Sequence, residues 1–449
     1  MSKFRLAEHQ DYAVTMMTAN RSLGIFYEAG TGKTMCALAW IYRALERGRI
    51  MRALVVCPAS LTGSWATSID KMLKFEGFTE EGVDRLRKAV TIVSYQRMYH
   101  SKRVEVRHRD GTVTRKRETS LRPEIDREWG AVIVDESHSI GKHDSLQTRV
   151  ALKLAYLAKY RFIMSGTPVT GGKGREDFQK LYGQIKFLEP DAFRNWTEFK
   201  SRYVRSCDPW GNPVSYDEEA CRDLMRRHGI VARLCDCYDM PDQTDTIVPC
   251  PLKCVREYKD MKEGNLEPYG MDLDVAGLQY QKMLQVCSGH IKNDDTYIRL
   301  DTSKDAALTD LLASSDGKVV VFCNYRASVD RVAELCRKAG RRTVVFDGRS
   351  KGETWRELQY GGADVLVAQY QSGGTGLDLF ASHTMIFFEP HQSALIYGQA
   401  RARIFRKGQE QKCSYYILTT PGTIEDRVWQ TVMRGDEVTN AMLDEWSRE

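Results

Sequence analysis

Ten short apolar runs, in two sets of five, constrain this chain more than any other feature of its sequence. The first set is LGIFYEAG (Leu23–Gly30), RALVVCPA (Arg52–Ala59), AVTIVSY (Ala89–Tyr95), AVIVDE (Ala131–Glu136) and YRFIMSG (Tyr160–Gly166). The second is KVVVFCNY (Lys318–Tyr325), RTVVFDG (Arg342–Gly348), ADVLVAQY (Ala363–Tyr370), TMIFFEP (Thr384–Pro390) and SYYIL (Ser414–Leu418). Their apolar character is continuous rather than alternating, which suits strands buried on both faces of a parallel sheet. Amphipathic stretches such as Lys33–Leu45, Leu146–Ala158 and Ser328–Ala339 lie between them and supply crossover helices. The expected fold class is therefore α/β, with two doubly wound domains in tandem, and a chain of 449 residues exceeds what one hydrophobic core supports. The stretch Thr170–Thr302 reads as mostly helical and loop-like, and the domains are expected at residues 1–247 and 248–449.

Composition narrows the class of function. With 42% hydrophobic and 28% charged residues the chain is that of an ordinary globular protein. No apolar run approaches the ~18 residues needed to span a bilayer, and the N-terminal MSKFRLAEHQDYAV lacks an apolar signal core. A cytoplasmic or nucleoplasmic protein without a membrane partner is expected. The twelve cysteines are expected as reduced thiols, since the spacings of Cys207, Cys221, Cys235, Cys237, Cys250 and Cys254 match no paired zinc-ligand pattern. A net charge of +6 permits a polyanionic partner without diagnosing one.

Three motifs carry chemistry. EAGTGKT, Glu28–Thr34, follows a predicted strand and opens a predicted helix. Gly30, Thr31 and Gly32 can curl their backbone N–H groups around phosphate oxygens, Lys33 can reach the β- and γ-phosphates, and the Thr34 hydroxyl can hold magnesium. The full pattern would begin with glycine where Tyr27 stands. DESH, Asp135–His138, ends a predicted central strand, where doubly wound sheets place their ligands. Asp135 can orient magnesium through water and Glu136 can polarise an attacking water. In QARARIFRKGQ, Gln399–Gln409, Arg403 and Arg406 are three apart, so on a helix they share a face, and a guanidinium fork aimed at a γ-phosphate stabilises transition-state charge.

The order of EAGTGKT, DESH, SGTP (Ser165–Pro168), SGGTGLDL (Ser372–Leu379) and QARARIFRKGQ resembles the superfamily-two helicases, and within them the Swi/Snf-type DNA translocases. CPASLTGSW (Cys57–Trp65), LYGQIKFLEPDAFRNWTEF (Leu181–Phe199), DMPDQTDTIVPCPL (Asp239–Leu252), SKDAALTDLL (Ser303–Leu312), EPHQSALIYGQARARIFRKGQ (Glu389–Gln409) and GTIED (Gly422–Asp426) extend the resemblance from Leu6 to about Val428. It implies two RecA-like lobes with ATP and magnesium in the cleft between them. By the same resemblance Gln10 reads adenine, Lys33 and Thr34 take phosphate and magnesium, and Asp135 and Glu136 are the metal and water-activating pair. Arg403 and Arg406 match the paired arginines, and Gly376 and Asp378 match the motif facing both nucleotide and nucleic acid. His138 is expected to link the ATP site to the neighbouring lobe. The chain departs from the family in GGKG (Gly171–Gly174), where a polar pair is usual, and in Asp378, where asparagine is common.

The resemblance implies a nucleic-acid-stimulated ATPase that moves along double-stranded DNA. Its alternatives are a strand-separating DNA or RNA helicase and, in another class, a nucleic-acid-binding scaffold with a dead ATP site. A monomer is expected. About twenty residues follow GTIED, so specificity is expected from the lobes, short insertions or a protein partner. One insertion stands out. SKRVEVRHRDGTVTRKRE, Ser101–Glu118, holds seven Lys or Arg and three acidic residues, and Asp110-Gly111 between alternating valines and charges signals a two-residue hairpin turn. Such a hairpin can lie against phosphates.

Overall fold

Each of the ten apolar runs becomes a strand, and the pleat of those strands explains why the runs are continuous. The computed structural model describes residues 4–107, 113–169, 177–269, 279–293, 296–350, 353–373, 377–436, 438, 442 and 446. Up to Cys237 the strands in chain order are β1 (Ser22–Tyr27), β2 (Ala53–Cys57), β3 (Val90–Ser94), β4 (Tyr99–Arg107), β5 (Val113–Leu121), β6 (Trp129–Asp135), β7 (Ala158–Met164), β8 (Val204–Cys207), β9 (Pro213–Tyr216) and β10 (Gly229–Ala232). Six of them form one parallel sheet in the order β10-β1-β7-β6-β2-β3. In β2, Ala53, Val55 and Cys57 enter the core beneath the helix Lys33–Glu46, while Leu54 and Val56 enter the opposite core beneath the helix Leu146–Tyr156. All five side chains are fully buried, so no position along the strand tolerates a polar residue.

From Tyr238 onward a second unit repeats the plan with β11 (Gln243–Pro249), β12 (His290–Asn293), β13 (Thr296–Arg299), β14 (Val319–Cys323), β15 (Thr343–Phe346), β16 (Val365–Gln369), β17 (Thr384–Phe387) and β18 (Cys413–Thr419). Its six-stranded parallel sheet runs β11-β18-β17-β14-β16-β15. The α/β class and the pair of doubly wound domains are thus as expected.

The middle stretch departs from its reading as helix and loop. It supplies an edge strand to each sheet, β10 beside β1 and β11 beside β18. Most residues of β11 are exposed, so its sequence, QTDTIVP, carries no apolar run, and only backbone pairing from Gln243–Cys413 to Pro249–Thr419 makes it a strand. A boundary between Ile247 and Val248 would cut β11, and the chain passes from one unit to the other between Cys237 and Tyr238 instead.

The second unit is tied internally by a buried ion pair between two stretches that carry the family resemblance. Lys304, from SKDAALTDLL, is fully buried and its Nζ donates to Phe388 O at 2.9 Å and to Glu425 Oε1, of GTIED, at 2.5 Å. Burial pulls the Lys304 pKa down, but Glu425 and Glu389 outweigh it and raise it, so the ammonium stays charged. Glu389 in turn accepts from the backbone N–H groups of Asn324 and Tyr325 and from the Ser328 hydroxyl. Removing one partner of such a pair leaves an uncompensated buried charge, which explains the residue types at both ends. Among the described residues no helix is long and apolar enough to cross a membrane.

Candidate nucleotide-binding site

Four motifs spread over about 140 residues of sequence meet at one edge of the first sheet because each follows the carboxyl end of a strand. EAGTGKT follows β1, CPASLTGSW closes β2, DESH closes β6 and SGTP follows β7. After β1 the chain turns through Gly30 and Gly32 at φ 89° and 87°, a left-handed conformation that glycine adopts without steric cost. A Cβ at Gly32 would collide with Gln10 Nε2. The helix then starts at Lys33, with Thr34 in its first turn. Lys33 Nζ donates to the carbonyls of Tyr27 at 2.7 Å and Glu28 at 3.2 Å, which holds its charge over the loop. Tyr27 itself is 1% exposed, with its hydroxyl donating to His9 O, so it serves the core at the position where the full motif has glycine.

Gln10 is 5% exposed and braces the loop: its Nε2 donates to Thr31 O at 3.0 Å while its Oε1 accepts from Ala7 N at 3.1 Å. His9 Nε2 also lies 2.9 Å from Thr31 O.

Asp135 is 5% exposed, and its two carboxylate oxygens accept from Trp65 Nε1 at 2.8 Å and from Glu136 N at 3.0 Å. Burial first, and the neighbouring Glu136 second, push its pKa up to about 6, against the opposing pull of Trp65 and Lys33. Among the described residues Glu136 is the one non-glycine with a left-handed backbone, φ 52°. Such a conformation costs on the order of 1–3 kcal/mol and persists only where the surroundings enforce it. Here Tyr95 enforces it by donating its hydroxyl to Asp135 O at 2.6 Å and Glu136 O at 3.2 Å.

The next residues join DESH to SGTP. Ser137 donates to Gln184 Oε1 at 2.7 Å, and Gln184 Nε2 donates to Pro168 O at 2.8 Å. His138 Nδ1 lies 3.2 Å from Ser165 Oγ and 3.4 Å from Glu136 Oε2. Burial, with Lys180 and Lys33 adding to it, lowers the His138 pKa to about 4, so the ring is neutral at pH 7 and its contact with Glu136 is not an ion pair.

In the second unit the helix expected to carry both arginines stops early. It spans Ala394–Arg401, and Arg403 and Arg406 lie in the turns that follow. Tertiary contacts bring them together instead. Arg403 and Arg406 both aim Nη1 at Leu377 O, at 3.4 and 2.7 Å, and Arg406 also pairs with the Asp378 carboxylate. Arg403 is 6% exposed and is further fixed by donating Nε to Gln399 O at 2.8 Å. Gly376 and Gly171–Gly174 lie outside the described residues.

Residues 9–259 match the SNF2-related domain, and residues 303–408 match the helicase conserved C-terminal domain. The chain belongs to the SNF2-related family. It is similar to the DNA repair and recombination protein RAD54B of Gallus gallus, at 23% identity over 93% of this chain and 51% of that protein. It is also similar to the DNA repair protein rhp54 of Schizosaccharomyces pombe, at 22% identity over 93% of this chain and 55% of that one. The chain thus spans about half the length of these relatives. A solved structure, the Sulfolobus solfataricus SWI2/SNF2 ATPase core in complex with dsDNA, aligns at 18% identity over 99% of this chain and 93% of that one, with a TM-score of 0.42.

The SNF2-related match takes in the phosphate loop, the carboxylate pair and SGTP, and the C-terminal match takes in Asp378 and both arginines. Among the described residues no cluster of three Asp, Glu, His or Cys could enclose a metal ion. Magnesium is nonetheless consistent with the donors present, because it is usually bound by one or two oxygens plus substrate phosphates. A carboxylate whose pKa is raised by burial and then by an acidic neighbour is the kind of group a divalent cation stabilises. Roles for Trp65, Tyr95, Ser165 and Gln184 escape motif reading. Trp65, Ser165 and Gln184 do fall within stretches that carry the resemblance; Tyr95, at the end of AVTIVSY, has no signal beyond its strand.

Proposed function

We propose that this chain is a nucleic-acid-stimulated ATPase that couples ATP hydrolysis to translocation on double-stranded DNA. The observation that carries the reading is the convergence of a glycine phosphate cradle, Lys33, the buried Asp135 and the half-buried Glu136 at one sheet edge. Family membership supports it, as does the presence in the second unit of two arginines gathered on the Leu377 carbonyl, one of them paired with Asp378.

In this reading the backbone N–H groups of residues 30–34 and the Lys33 ammonium take the phosphates, with Lys33 exchanging its carbonyl partners for phosphate oxygens. Thr34 and Asp135 would hold magnesium, which when bound would neutralise phosphate charge. Glu136 accepts the proton of the attacking water, Trp65 holds the Asp135 carboxylate, and Tyr95 holds the backbone from which both carboxylates project. Arg403 and Arg406, gathered on the Leu377 carbonyl, are the paired arginines, and the Arg406 guanidinium stabilises the charge that develops on the transferred phosphoryl group. Hydrolysis therefore requires residues of both units, and a ligand that favours their joint engagement raises the rate.

Lys33→Ala removes a charge-assisted phosphate contact worth roughly 1.5–3 kcal/mol, so ATP affinity should fall by at least tenfold and turnover with it. Titration with a fluorescent ATP analogue checks this, and unchanged affinity would exclude Lys33 from phosphate binding. Phosphate release measured side by side with duplex DNA, single-stranded DNA and RNA tests the substrate class. Duplex should stimulate most, and the enzyme should displace a triplex-forming strand without unwinding a tailed duplex. Unwinding without triplex displacement would favour a strand-separating helicase.

A further inference from the structure

The hairpin β4–β5 takes no part in the chemistry above, yet most of the chain's net positive charge lies in Ser101–Glu118, +4 of +6. It forms a two-stranded sheet of its own, joined to neither six-stranded sheet. Its base belongs to the first unit: Leu121 is buried in the core beneath the helix Leu146–Tyr156, and Tyr99, its partner across the ladder, packs on that core. The register runs without interruption from Tyr99–Leu121 through Arg103–Arg117 and Glu105–Arg115 to Arg107–Val113. From Ser101 to Arg107 that is about 20 Å of strand at ~3.3 Å per residue. The two-residue turn expected at Asp110-Gly111 falls in 108–112, outside the described residues.

Because residues opposite each other share a face and alternate residues change faces, this register sorts the charges. One face receives Arg103, Arg107, Arg115 and Arg117 against a single acid, Glu105. The other receives Lys102 and Lys116 against Glu118. The arginine face is also the face of Tyr99 and Leu121, so it continues from the side of the hairpin seated on the body. There the helix Leu146–Tyr156 extends the charge: Arg149 and Lys153 are exposed one turn apart, and Lys153 Nζ donates to Thr119 O, on β5, at 3.3 Å.

The register sets Arg103 directly across from Arg117, and like charges placed opposite each other on two strands cost stability unless a polyanion lies against them. We propose that the arginine face of β4–β5, continued by Arg149 and Lys153, is a sequence-independent seat for the phosphate backbone of duplex DNA. It rests on the DNA-translocating ATPase reading given above. Arginine suits the task because its fork binds phosphate oxygens in pairs, and a face that reads only phosphates leaves the protein free to slide.

The test compares two variants of the full chain by duplex binding across a salt series. Arg103→Gln with Arg115→Gln and Arg117→Gln removes three charges from the arginine face; Lys102→Gln with Lys116→Gln removes two from the other. The triple variant should flatten the slope of log affinity against log salt by up to about three and raise the duplex concentration giving half-maximal ATPase stimulation at least tenfold. The double variant should move both by much less. Melting temperature without DNA checks folding, and a hairpin shortened by replacing residues 103–117 with a short turn repeats the measurement should the triple variant misfold. A wild-type salt slope in the triple or shortened variant overturns the proposal, and so does an equal loss in the double variant, which would mean diffuse charge rather than a face. If the unaltered chain shows neither duplex binding nor duplex stimulation, it is the translocase reading that fails, and the comparison between variants separates the two failures.

Discussion

Glu136→Gln should bind ATP with close to unaltered affinity and hydrolyse it at least a hundredfold more slowly, the range in which removal of a general base falls. The substitution is nearly isosteric, and glutamine meets the same left-handed backbone that Tyr95 already enforces at φ 52°. His138 is neutral at pH 7, so losing the carboxylate breaks no ion pair there, and the hydrogen-bonded link between DESH and SGTP through Ser137 and Gln184 is untouched. The variant therefore separates chemistry from folding. Single-turnover phosphate release alongside nucleotide titration is the measurement, and hydrolysis at the wild-type rate would remove Glu136 from the mechanism.

Arg406→Ala should lower kcat by roughly a thousandfold or more, with a smaller change in the KM for ATP, because an arginine acting on developing charge contributes mainly in the transition state. Arg406→Lys should not restore the rate. Lysine supplies a point charge, whereas Arg406 engages Leu377 O and the Asp378 carboxylate through one planar group that must also present nitrogens to a phosphoryl oxygen. Arg406 and the Asp378 carboxylate are half-buried, with side chains 20% and 34% exposed, so a moderate drop in melting temperature at most is expected from either substitution. Full activity in the lysine variant would show that local positive charge suffices at this position. Since Arg406 belongs to the second unit and Glu136 to the first, equal losses in the two variants would measure how completely turnover depends on both.

The parts of this protein legible in its sequence are those whose physics is local. A strand buried on both faces must be apolar at every position, so Ala53–Cys57 and Val319–Cys323 announce themselves as runs. A phosphate loop needs backbone that only glycine adopts cheaply, so Gly30 and Gly32 mark it without any partner being known. The order of such motifs along the chain was enough to reach the family. What the tertiary structure decided are the features that depend on residues far apart. β10 and β11 became strands because open sheet edges offered their backbones hydrogen-bond partners, and an exposed edge strand needs no apolar run. Arg403 and Arg406 converge although their helix ends at Arg401, because the Leu377 carbonyl and the Asp378 carboxylate, more than twenty residues earlier, gather both guanidiniums. Asp135 owes its setting to Trp65, seventy residues away, and Glu136 its backbone to Tyr95. The hydrogen bonds to Asp135 are made in buried places where water cannot substitute, and no periodicity in the sequence encodes which distant partner will fill such a place.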